Sequence, residues 1–246
     1  MNRGPAGTGR SLLRGVAAVV GAATGRSRRH RDAASVRRSS HEPVVLVHGY
    51  ADTGETPWWD ALAAHLVDDG YAREAIHVLS LGDRPGTTVD SPERYAAVLE
   101  RHLRAASEAH GSAVDVVAHS MGGLAARWCI EQRGGARYVD SLVTLGTPHR
   151  GTYAAALGLA TAGGRDMLPG SAFLDALDDG TLDPGVEYTA VWSRCDPLIV
   201  PKEHAKLPRR AIASDPTARN VDAGRRGHLQ LVADRAVFDR YRARLG

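Results

Sequence analysis

The sequence predicts an α/β fold: a doubly wound, mostly parallel sheet with helices on both faces and a small helical lid insertion. Three observations carry this expectation. Short, mostly apolar runs at 44–47, 76–79, 114–117, 142–145 and 188–192, the first of them unbroken, have the composition of strands buried in a parallel sheet. Amphipathic segments lie between them, and strand–helix alternation implies right-handed crossovers. The third is Ala118-His119-Ser120-Met121-Gly122-Gly123, where an apolar strand must turn sharply into a helix with only small residues two places either side of a serine.

In chain order, residues 1–41 read as a basic, disordered tail or a weak targeting segment. Residues 1–40 hold nine arginines and one acid, Asp32, a net of +8; with +3 for the whole chain, the other 206 residues carry −5. A mildly acidic folded part offers no footprint for nucleic acid, and only the tail suits weak contact with an anionic membrane surface. Its apolar run at 16–20 is far short of the ~20 residues of a membrane span. The run is followed by a weak cleavage site and then by more arginines. A cytoplasmic or membrane-associated location is therefore favoured over secretion. The globular part, 42–246, is long enough and, at 43% hydrophobic residues in the whole chain, apolar enough for one packed domain.

The first strand, 44–47, ends in His48-Gly49-Tyr50 and leads to an amphipathic helix with Trp59, Leu62, Ala63 and Leu66 at helical spacing. After the strand at 76–79, Ser91-Pro92-Glu93 supplies an N-cap, a first-turn proline and an acid, and Gly111 a C-cap. Tyr95, Val98, Leu99, His102 and Leu103 form the expected buried stripe. The helix after Ser120 stops at Gly134-Gly135, and the strand at 142–145 opens into Gly146-Thr147-Pro148-His149-Arg150-Gly151-Thr152. Residues 153–185 are apolar, rich in small residues and too long for a simple connection, so they read as a lid of short helices. A short strand at 211–213 and a terminal helix over 234–244 complete the expectation.

A serine hydroxyl becomes a useful nucleophile when a histidine takes its proton, and a buried carboxylate holds that histidine in the right tautomer. In an open α/β sheet such groups gather beyond the carboxyl ends of the strands. Asp196, just past the strand at 188–192, and His228, in a Gly-flanked loop, complete Ser120 in the chain order of this arrangement. His204 competes for the base, and Asp183, Asp215 and Asp222 for the acid. Backbone N–H groups of Met121 and Tyr50 are the expected oxyanion donors. Substrate contact is assigned to His48, Gly49, His119, Leu157, Leu168 and Phe173. The two cysteines, Cys129 and Cys195, have no metal-ligand spacing, and a bridge between them stays open.

Taken together, His48-Gly49, the Ala118–Gly123 stretch, the loop at 146–152, Asp196-Pro197-Leu198-Ile199-Val200-Pro201 and Gly227-His228-Leu229 resemble bacterial lipases of the α/β-hydrolase superfamily. The likeness covers 42–246, including the alanine that some small members carry before the serine. It implies a serine carboxylester hydrolase acting on acyl glycerols or related lipid esters through an acyl-enzyme, with Ser120, Asp196 and His228 as triad. It implies no cofactor. Some relatives hold calcium through aspartates near the triad; no such pair is placed here, so no metal is expected. A thioesterase, a phospholipid or polyester acyl hydrolase and a non-catalytic ligand-binding protein on this fold are the alternatives.

Overall fold

The computed structural model describes residues 41–82, 84, 86–178 and 182–246. The tail reading therefore lies outside the described residues apart from His41, as do residues 179–181 of the lid reading. The elements run β1 (Val44–Val47), α1 (Pro57–Asp68), β2 (Ile76–Leu79), α2 (Pro92–His110), β3 (Val114–His119), α3 (Met121–Arg133) and β4 (Val139–Leu145). They continue with α4 (Ala162–Asp166), α5 (Ala172–Asp178), β5 (Glu187–Trp192), α6 (Arg209–Ser214), β6 (Arg219–Asp222), α7 (Gln230–Ala233) and α8 (Arg235–Phe238). The strands form one sheet in the order β2-β1-β3-β4-β5-β6, every neighbouring pair parallel.

Alternate residues of the inner strands feed two cores, one on each face. Val45 and Val47 of β1 pack with Leu99, Leu103 and Leu124 from α2 and α3. Val44 and Leu46 pack with Trp59, Leu62 and Leu66 of α1 and with Val237 and Phe238 of α8. Each fully buried aliphatic side chain contributes ~1.5–3 kcal/mol, which is why an unalternating apolar run is stable here. Helix α2 has the expected ends: Ser91 Oγ accepts from Glu93 N–H, and Gly111, at φ 73°, closes the last turn onto Ser107.

Three expectations are corrected, and the open question of a cysteine bridge is answered. The buried face of α2 is Tyr95, Ala96, Leu99, Leu103 and Ala106; the two alanines shift its centre away from Val98, half-buried, and His102, exposed. Residues 211–213 lie in α6, and the last strand is β6, whose Arg-Asn-Val-Asp sequence suits an edge with little apolar burial. The terminal helix is broken: Asp234 caps α8 by accepting Ala236 N–H, and α8 ends at Phe238, with a separate 3₁₀ turn at Arg242–Arg244. Cys129, buried in α3, and half-buried Cys195 are both free thiols.

Between β4 and β5 the chain forms a 3₁₀ turn (Tyr153–Gly158), α4 and α5. Phe173 of α5 stacks on Trp128 of α3 at 5.0 Å between centroids, docking this insertion beside the helix that follows Ser120.

Candidate active site

Ser120 sits at φ 55°, ψ −129°, between β3 and α3, and among the described non-glycine residues only it and Ala51 have positive φ. Such a backbone costs ~1–3 kcal/mol and persists only where its surroundings fix it. Here Ser120 N–H donates to Leu145 O at 2.9 Å, and Ser120 O accepts the Thr147 hydroxyl at 2.8 Å. The two glycines behind it are sterically required. A Cβ on Gly122 would lie 2.3 Å from His48 O, and one on Gly123 2.1 Å from Thr147 Oγ1.

Asp196 and His228 meet as expected. His228 Nδ1–H donates to Asp196 Oδ2 at 2.7 Å, with both side chains buried, and Asp196 Oδ1 accepts Leu198 N–H at 2.9 Å. That bond fixes the tautomer and leaves His228 Nε2 free to accept a proton. The competitors are engaged elsewhere: His204 Nδ1–H donates to Gly151 O, Asp222 pairs with Arg194, Asp215 accepts from Thr217 and Asp183 from Gly185 N–H.

Gly49 brings the first βα loop against the serine, since a Cβ there would stand 2.7 Å from Ser120 Cβ and 3.4 Å from Met121 N. Neither Tyr50 N–H nor Met121 N–H donates to a carbonyl among the described residues. Two donors without protein partners beside a serine are what a developing oxyanion needs.

Ser120 and His228 open onto a cavity of about 510 Å³, whose wall also includes Gly49, Tyr50, His119 and Leu157. The insertion supplies one side of it through Ala155, Gly158, Gly164 and Met167. Tyr50 O–H meets Thr161 Oγ1 at 3.0 Å, tying the first loop to the cap residue of α4. Of the eight large, exposed hydrophobic residues among those described, six, Tyr153, Leu157, Leu159, Leu198, Val200 and Leu229, belong to segments that line this cavity, and Leu157 is 94% exposed.

His48, Leu168 and Phe173 are not on the wall. His48 is buried, accepting Leu81 N–H at 2.7 Å on Nε2 and facing Gly49 O with Nδ1, so it joins the end of β1 to the chain after β2. Leu168 and Phe173 turn into the core beside α3. Sequence reasoning missed Gly146, Thr147 and Asp52. Gly146, at φ 56°, lies so close to Asp196 and His228 that a Cβ would be 3.0 Å from Asp196 Oδ2 and 3.2 Å from His228 Nδ1. Asp52 borders the cavity and accepts both the Trp58 and Trp59 indole N–H groups; an acid two residues before Gly54 in a loop carries no motif to find it by. Among the described residues, no group of three or more His, Cys, Asp or Glu is placed to hold a metal ion. None of the described helices is long and apolar enough to cross a membrane.

The family described as Lipase (class 2) matches residues 41–170. A triacylglycerol lipase of Burkholderia plantarii is 29% identical over 125 residues, 49% of this chain, and the match spans only 33% of that relative's length. Among solved structures, the mature Bacillus licheniformis lipase BlEst2 superposes with a TM-score of 0.69 at 20% identity, over 89% of this chain and 95% of that one. Aspergillus fumigatus lipase B does so at 0.63 and 20%, over 78% and 49%. At these identities the structural likeness establishes the α/β-hydrolase fold.

Proposed function

Because the chain belongs to the class 2 lipase family, we propose that it hydrolyses carboxylic esters of lipids, with Ser120 as nucleophile, His228 as general base and acid, and Asp196 as its orienting carboxylate. The observation that carries this reading is the 2.7 Å His228–Asp196 bond on a cavity shared with a serine held on a strained turn. Ser120 Oγ attacks the ester carbonyl carbon as its proton passes to His228 Nε2. The carbonyl oxygen takes the charge beside the N–H groups of Tyr50 and Met121, where one such donor is worth ~10²–10³ in rate. The C–O bond breaks and His228 protonates the departing alcohol, leaving an acyl-enzyme. Water, deprotonated by the same histidine, then releases the acid. Asp196 keeps the proton on Nδ1 and offsets the imidazolium charge.

The apolar wall and its exposed apolar border favour a long acyl chain, and residues 153–185 serve as the lid that shields it from water. Initial rates on p-nitrophenyl esters from acetyl to palmitoyl, with wild type beside Ser120→Ala, test this. A maximum at long chains that vanishes in the variant is expected. A short-chain maximum would replace the lipase reading by an esterase, and turnover that survives Ser120→Ala would remove the mechanism.

A further inference from the structure

The Asp52 carboxylate has no capacity left for a ligand. Oδ1 accepts Thr53 N–H at 2.7 Å and the Thr56 hydroxyl at 3.1 Å, and Oδ2 accepts the indole N–H of Trp58 at 3.0 Å and of Trp59 at 3.1 Å. Four donors fill the four lone-pair positions of a carboxylate, so although Asp52 borders the cavity it acts as a clasp. What it holds leads to the base. The buried Trp59 ring meets His119 edge-on, at 6.4 Å and 72°. His119 Nε2 lies 3.2 Å from the backbone oxygen of His228, and the two imidazole centroids are 4.4 Å apart with their planes tilted by 50°.

Only an N–H can bond a carbonyl, so His119 carries its proton on Nε2, and its buried Nδ1 is bare and without a partner. His119 is therefore neutral, and burial followed by the neighbouring His228 pushes its pKa well below the usual histidine value. An uncharged ring in this place can grip the His228 backbone without taking the proton that His228 must carry.

We infer that Asp52, Trp59 and His119 form a positioning brace that sets the His228 ring between Asp196 and Ser120 and couples it to the loop that presents the Tyr50 N–H. The inference rests on the reading of Ser120, Asp196 and His228 as the reacting groups. The 2.7 Å bond to Asp196 fixes one nitrogen of His228 but leaves the ring free to swing about that bond; His119 closes one face and anchors the backbone beneath it. A swing of about 1 Å costs ~10²-fold in rate.

Asp52→Asn is the first test. Whichever way the amide turns, two donors that met an oxygen now face an NH₂ group, with the volume kept. The variant is expected to lower kcat ~10- to 100-fold with KM within about twofold of wild type, since asparagine keeps the volume of Asp52 at the cavity border. The His228 Nδ1–H proton, assigned in NMR spectra by its loss in His228→Ala, is expected to exchange with solvent faster. His119→Phe keeps the ring and loses the donor, and should reproduce both effects. His119→Gln places an amide N–H near the same point and should restore them, and the double variant Asp52→Asn/His119→Phe should be no worse than the poorer single. If Asp52→Asn does not fold, the His119 pair decides. Wild-type kcat and an unchanged ring proton in His119→Phe would overturn the brace. If wild type itself lacks Ser120-dependent turnover, the functional reading fails, and the ring proton alone decides: faster exchange in the variants upholds the brace and unchanged exchange sinks it.

Discussion

Gly146→Ala is the substitution from which the structure predicts most, because two separable effects meet at one methyl group. The first is conformational: alanine at φ 56° costs ~1–2 kcal/mol in the left-handed region. The second is steric. The new Cβ would stand 2.8 Å from Leu231 Cδ1, 3.0 Å from Asp196 Oδ2 and 3.2 Å from His228 Nδ1, where ordinary contact begins at 3.4 Å. Leu231 can give at its far end, but the carboxylate must retreat from 3.0 to 3.4 Å or the ring must turn. If the loss scales with displacement from ~10² per ångström, kcat falls on the order of fivefold. Gly111→Ala is the matched control, since Gly111 has φ 73° and nothing within 4 Å of an added Cβ. Urea unfolding should show about the same 1–2 kcal/mol loss from strain in both variants. Turnover of a p-nitrophenyl ester should fall only for Gly146→Ala. Equal kcat in Gly146→Ala and wild type would refute the claim that this glycine makes room for the acid–base pair.

Two further outcomes are expected. Tyr50→Phe removes the bond to Thr161 Oγ1 and so ~1 kcal/mol of local stability, which should raise amide hydrogen exchange at the start of α4 about fivefold; unchanged exchange would mean that this bond does not tie the insertion to the first loop. The pH dependence of stability has two opposed parts. Burial holds His119, His149 and His48 below the usual histidine pKa, so their contribution is present above ~6.5 and is lost as pH falls toward their folded values, each proton worth ~1.4 kcal/mol per pH unit. Burial pushes the Asp115 carboxyl up to about 6, so its contribution is present below ~4 and is lost as pH rises through 6. Asp115→Asn removes the opposing proton, and stability should then fall more steeply on acidification between pH 6 and 4, by ~1.4 kcal/mol per unit. An unchanged slope in urea titrations would contradict this.

What the sequence disclosed was whatever has a local signature. Val44–Val47 shows its burial on both faces as an unbroken apolar run, Ser91, Pro92 and Gly111 mark the ends of α2, and small residues flank Ser120 because the turn leaves no room for others. The pairing of Asp196 with His228 followed from strand ends and chain order. Features set by tertiary contact were hidden. The edge strand β6 has a polar sequence and only half-buried Val221, so no period marks it. Phe173 has the composition of an acyl-pocket residue but stacks on Trp128. His48 stands beside Gly49 in sequence, yet its ring is spent on Leu81 N–H. Gly146 looked like the end of a strand, and only the packed structure shows what its missing side chain makes room for.

The central claim, that Ser120 is a nucleophile activated by His228 and Asp196, is tested most directly by reacting folded protein with a fluorophosphonate and mapping the adduct by peptide mass. One adduct on Ser120 is expected, absent in Ser120→Ala and formed orders of magnitude more slowly in Asp196→Asn, where the histidine loses its tautomer. Folded protein that stays unlabelled, or labels as fast in Asp196→Asn as in wild type, would contradict it.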